Sequence, residues 1–138
     1  MAKRPILAAV LIATLALAGC RSAAVNNVVD APFPVGVSGA RSLSVDQTEA
    51  IIVKVGSDRG WIFTKLGTGH LEGTVNVRGK HTAVIDVLFD REVYSILYKD
   101  SQNLNYDAAE NVIHPNYNSW VGLLDNDIKL AVQAAKAS

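Results

Sequence analysis

The chain has 138 residues, 13 of them basic and 13 acidic, for a formal net charge of zero at pH 7. That balance leaves no surplus of cations to follow a phosphate backbone, which argues against a nucleic-acid partner. A single cysteine excludes an internal disulfide framework. In chain order, the first element is Lys3 and Arg4 followed by an uncharged apolar run over residues 5–18. This is the basic and then apolar pattern of an export signal. The run is shorter than the roughly 20 residues a bilayer-spanning helix needs, so the segment reads as one made to be removed.

The run ends in Leu17-Ala18-Gly19-Cys20, which resembles the bacterial lipobox: an apolar residue, two small residues that fit a peptidase cleft, then a cysteine. The resemblance implies cleavage between Gly19 and Cys20, a diacylglycerol on the Cys20 thiol, and an acylated amine. The alternative is an ordinary secretory signal with an incidental cysteine. Each buried methylene contributes about 0.8 kcal/mol, and two or more acyl chains hold stably where one does not. Aspartate directly after the cysteine is the inner-membrane retention signal of that class. Here the position is Arg21, so the resemblance implies an outer-membrane anchor with the domain on the periplasmic face. Loss of residues 1–19 leaves 119 residues, with 11 basic against 13 acidic side chains, a formal charge of −2. That length suits one domain with a modest core.

Residues 21–40 are rich in small side chains and contain Pro32, Pro34, Gly36 and Gly39. Without helical or strand periodicity, the segment is expected to be a flexible tether from Cys20 to residue 42, long enough when extended to hold the domain several nanometres from the membrane. The short run at residues 27–30 is the one place where an edge strand is the alternative. The folded domain is expected over residues 43–138.

Ser44 stands three residues before Gln47, the spacing of a capping box. Val45, Thr48, Ile51, Ile52 and Val55 then form one apolar stripe, predicting a helix over residues 45–57 that Arg59-Gly60 ends. Four strands follow. The first covers residues 61–66 and is closed by Gly67-Thr68-Gly69. Over residues 70–78, Leu71, Gly73, Val75 and Val77 face inward, and over residues 81–89, Ala83, Ile85, Val87 and Phe89 do the same. Gly79-Lys80 between them suits a type II′ hairpin, which wants glycine first. After a turn at Asp90-Arg91-Glu92, residues 93–99 place Tyr94, Ile96 and Tyr98 on one side. The connections are too short for parallel crossovers, so the sheet is an antiparallel meander.

A last helix begins near His114-Pro115, with proline at its favoured first position. Tyr117, Trp120, Val121, Leu124, Ile128, Ala131, Val132 and Ala135 fall within about 60° of one line on it. The expected fold is therefore α+β, a two-layer sandwich of a four-stranded meander with an N-terminal and a C-terminal helix on one face.

The turn-rich segment 99–114 suggests a minor hairpin, residues 104–106 against 112–114. It gathers Asp100, Ser101, Asn103, Tyr106, His114 and Asn116 as a candidate ligand site for a sugar or peptide, the alternative being a loop stitched by its own Asx and Ser turns. On the last helix, Leu123 and Leu130 lie some 120–140° from the stripe's centre, beside Asp127, as a candidate docking seam for an envelope protein. The alternative is that one of them packs against the first helix. His70, His81 and His114 show no metal-ligand spacing, and no nucleophile elbow or phosphate loop occurs. A non-enzymatic protein without metal or cofactor is expected.

Arg59-Gly60-Trp61, the run from Tyr94 to Tyr106, Ile113-His114, Tyr117-Asn118 and Trp120-Val121 together resemble the pattern of small uncharacterised proteobacterial lipoproteins. The similarity spans most of residues 43–130. It implies fold and location and carries over no catalytic residue.

Overall fold

A computed structural model describes residues 21–138. Gly19 and Cys20, with the signal before them, lie outside the described residues. The order is β1 (Ala23–Ala24), β2 (Val28–Pro32), α1 (Val45–Asp58), β3 (Ile62–Gly67), β4 (His70–Val77), β5 (His81–Phe89), β6 (Val93–Gln102), β7 (Val112–Ile113) and α2 (Pro115–Ala137).

The class is α+β, and β3 to β6 form the expected antiparallel meander. The main sheet has five strands rather than four, in the order β2-β6-β5-β4-β3, and β1 pairs with β7 in a separate two-stranded ladder. β1 and β2 both come from the segment expected to be a tether. Its strand β2 runs antiparallel to β6, with Val28 opposite Ile96 and Pro32 opposite Val93. A proline forbids a helix interior or a central strand, but an edge strand accepts it because one side needs no donor. Asp30 adopts φ +45° at an irregularity in the β2–β6 register, and its N–H donates to the buried Ser95 Oγ at 2.9 Å. Beyond β2, Phe33 is buried and stacks on Tyr94 with ring centroids 4.8 Å apart. Leu43 is buried too. The domain thus starts at about residue 23, not 43.

α1 begins with the predicted capping box: Gln47 N–H donates to Ser44 Oγ at 3.1 Å and Ser44 N–H to Gln47 Oε1 at 2.9 Å. It ends at Arg59-Gly60, where Gly60 takes φ +91° and Trp61 N–H reaches back to the Gly56 carbonyl. Its stripe buries Thr48, Ile52 and Gly56. α2 buries Tyr117, Val121, Leu124, Ile128 and Val132, all from its predicted stripe. Arg41 N–H donates to the Lys136 carbonyl, so the start of α1 meets the end of α2 and the helices run antiparallel. Both stripes and the inner face of the sheet, with Leu71, Val75, Ala83, Ile85, Val87 and Ile96, share one core. Each fully buried aliphatic side chain there is worth about 1.5–3 kcal/mol.

Two turns depart from simple expectation or sharpen it. Between β4 and β5, both Arg78 (φ +58°) and Gly79 (φ +66°) are left-handed and Lys80 N–H donates to the Val77 carbonyl. Positive φ at both central residues is the signature of a type I′ turn, so glycine takes the second central place and not the first. Between β5 and β6, Asp90 Oδ1 accepts from Glu92 N–H at 2.7 Å and Val93 N–H at 2.9 Å. These bonds, that from Val93 first, hold the Asp90 carboxyl below its ordinary range. A depressed carboxyl contributes stability above its unfolded pKa of about 3.9, and that contribution disappears as pH falls through the lower folded value. Asp90→Ala should therefore lower stability at pH 7, and the difference from the parent chain should shrink below about pH 4 in urea unfolding.

The outer face of the sheet is wet, as one face of an antiparallel sheet commonly is. Lys99 Nζ lies 2.5 Å from Glu72 Oε2 and 3.6 Å from Asp86 Oδ1, while His70 Nε2 is 2.7 Å from the same Asp86 oxygen. No described helix is long and apolar enough to cross a membrane.

Candidate functional site

Strand β6 carries the first candidate site, and a bulge in it sets the geometry. Ile85 pairs with Tyr98 but Val84 with Asp100, so Lys99 is an extra residue. One extra residue reverses the alternation beyond it. Tyr98 and Ser101, three apart, consequently share the inner side, and their hydroxyl oxygens are 2.8 Å apart. Tyr106 comes back over Tyr98 and stacks on it, centroids 4.2 Å apart at 29°. Tyr98 also packs in a T-shaped arrangement with Tyr117, centroids 5.6 Å apart. Desolvation pushes the Tyr98 hydroxyl above its usual pKa, and more strongly that of Tyr117, whose buried oxygen has no hydrogen-bond partner among the described residues.

An open groove of about 650 Å³ lies here, lined by Tyr98, Asp100, Ser101, Asn103 and Tyr106, with Lys99, Leu104 and Asn105. Four of the six predicted ligand residues therefore converge. Most have internal partners as well. Asp100 Oδ1 accepts from Ser101 N–H at 2.8 Å, and Asn103 Nδ2 donates to the Lys80 carbonyl at 2.7 Å. Asn103 and Asn105 both take positive φ, which asparagine tolerates better than most residues.

His114 and Asn116 do not join the groove. His114 is the N-cap of α2, its Nδ1 accepting from Asn116 N–H at 3.1 Å, so the ring proton sits on Nε2. The minor hairpin is present in outline: His114 N–H donates to the Leu104 carbonyl, and Asp107 and Val112 exchange backbone bonds. What sequence reasoning missed is that Tyr98 lines the groove and that Ser101 turns to the same side, because a bulge leaves no trace in residue alternation.

The second candidate site is on α2. Leu123 is 44% exposed and Leu130 57% exposed, so neither is covered by α1. Asp127, between them, is not free. Arg59 grips it with two bonds, Nε to Oδ2 at 2.7 Å and Nη2 to Oδ1 at 3.2 Å, which hold the guanidinium above its ordinary pKa. Beside the two leucines, Asp127 thus also ties the end of α1 to α2. A Cβ at Gly122 would meet no atom within 4 Å, leaving the backbone beside Leu123 open to approach.

The three histidines lie in separate places. His70 lies on the outer sheet face against Asp86, His81 Nδ1 lies 2.8 Å from the Asn103 carbonyl, and His114 caps α2. Among the described residues no group of three or more His, Cys, Asp or Glu side chains is placed to hold a metal ion. No protein-family model, curated protein or solved structure matches the chain.

Proposed function

We propose that the protein is a lipid-anchored envelope protein on the periplasmic face of the outer membrane, working as a non-enzymatic docking module for another envelope protein. The observation that carries the docking reading is the pair Leu123 and Leu130, two large apolar side chains exposed on one line of a well-packed helix. Exposed apolar surface beside fixed polar groups is what an interface uses. The Arg59–Asp127 pair supplies the fixed polar rim, and Gly122 permits close backbone approach. The anchor reading rests on the sequence from Lys3 to Cys20.

A second reading, recognition of a small ligand or glycan fragment, is favoured by the stacked Tyr98–Tyr106 pair with polar side chains around it. Against it, the groove is open and its polar groups are largely engaged with the protein itself, whereas small-ligand sites bury most of their ligand.

Leu123→Asp combined with Leu130→Asp tests the docking reading. Because both side chains are exposed, thermal unfolding should move little. Burial of two leucines is worth about 3 kcal/mol, so partner affinity should fall by about a hundredfold or more, read as loss of co-purification with the acylated chain. If the double variant unfolds the domain, the leucines belong to the core and the seam is not a docking surface.

A further inference from the structure

The chain enters the folded domain almost as soon as it leaves the lipobox. β1 begins at Ala23, three residues after Cys20. At 3.3–3.6 Å per residue these span at most about 10 Å, not the several nanometres a 20-residue tether would reach.

β1 is firmly held. It pairs with β7, Ala23 opposite Ile113 and Ala24 opposite Val112. Val25 N–H adds a bond to the Asn111 carbonyl at 3.0 Å. The Asn118 side chain clamps the same segment, its Nδ2 donating to the Ala24 carbonyl at 2.8 Å and its Oδ1 accepting from Asn26 N–H at 2.9 Å. In an antiparallel register, the chain running back from Ala23 heads the way β7 runs forward, toward His114 and Pro115. The anchor therefore leaves the domain beside the first turn of α2.

We propose that this end of the domain, carrying His114, Pro115 and Asn116, rests against the headgroup layer of the bilayer, so that the lipid fixes the domain's orientation instead of merely tethering it. The inference rests on acylation of Cys20. Its support is the length of chain between Cys20 and β1 and the place where that chain meets the fold. The chemistry is compatible: residues 115–119 contain no charged side chain, and the adjoining Arg21 is an exposed cation, the charge that suits lipid phosphates. The turn at Asp90–Glu92 lies at the opposite end, where β2 has run along β6 from Ile96 to Val93 and Phe33 N–H meets the Glu92 carbonyl. The groove rim at Leu104 adjoins His114 and so faces the same lipid surface. Leu123 and Leu130 stand about 12 and 22 Å along the helix axis from Pro115, leaving them clear for a protein partner.

The acylated chain carrying Asn116→Cys or Arg91→Cys, each labelled with a thiol-reactive fluorophore, is reconstituted in phosphatidylcholine–phosphatidylglycerol vesicles that contain a headgroup-nitroxide lipid. Quenching at position 116 is expected to exceed that at 91 several-fold. A 20-residue Gly-Ser insertion between Arg21 and Ser22, about 25 Å in root-mean-square span, should erase the difference. Equal quenching at the two positions, with acylation confirmed by intact mass, would overturn the proposed orientation while leaving the anchor in place. An unmodified Cys20 in the same mass measurement would remove the anchor, and the orientation with it.

Discussion

Phe33→Ala is expected to lower the unfolding free energy by about 3 kcal/mol, at the lower end of what buried phenylalanine truncations cost. Phe33 is 5% exposed, stacks on Tyr94, and has the Lys136 ammonium 6.0 Å from its ring centroid. Lys136 Nζ also donates to the Pro34 carbonyl at 3.0 Å, so the same point ties the segment to the end of α2. At roughly 4 °C per kcal/mol for a domain of this size, thermal unfolding should occur about 10 °C lower. Circular dichroism on the chain from residue 21 onward would show it. A flexible tether would give no change, and that result would return residues 21–42 to a linker.

Gly69→Ala should be the costlier kind of glycine substitution. Gly69 closes the β3–β4 turn at φ +71°, where a side chain is strained. A Cβ there would lie 2.3 Å from the Phe89 carbonyl oxygen, a backbone atom with no rotamer to yield. Gly69 also accepts the Phe89 N–H through its own carbonyl at 2.9 Å, so relief by shifting the turn would break that bond. A loss of about 2–4 kcal/mol is expected, combining left-handed strain with the displaced hydrogen bond. Gly79→Ala is the internal control: its φ is also positive, but a Cβ there would meet nothing within 4 Å. It should cost about 1 kcal/mol from conformation alone. Equal losses at the two positions in urea titrations would show that the contact with Phe89 does not matter.

Both helices and the four-strand meander were legible because each carries redundant signals. Ser44 and Gln47 mark one helix start and Pro115 the other, and the inward residues of β4 and β5 alternate without interruption. β2 carries no such redundancy. It is five residues long, is interrupted by a register shift near Asp30 and ends in proline, so period-2 alternation never develops. β1 and β7 have two residues each and exist only as partners. A core contribution from a single residue, Phe33, is likewise invisible to any test of periodicity.

The candidate groove was half legible for a related reason. Turn-forming Asp100, Ser101 and Asn103 announce a loop next to Tyr106. Ser101 joins Tyr98 on the inner side only through the extra residue Lys99 in β6, which the sequence does not distinguish from a regular strand position. His114 and Asn116 were drawn in by proximity along the chain, but the helix start uses one as its cap and leaves the other exposed in its first turn.

A photo-crosslinking side chain placed at Leu130, compared with one at Tyr106 in intact cells, tests the docking reading most directly. The docking account predicts a discrete adduct with one envelope protein from position 130, lost when Leu123→Asp is added, and no such adduct from position 106. An adduct confined to position 106, or none from position 130 in cells where the chain is abundant, would contradict it.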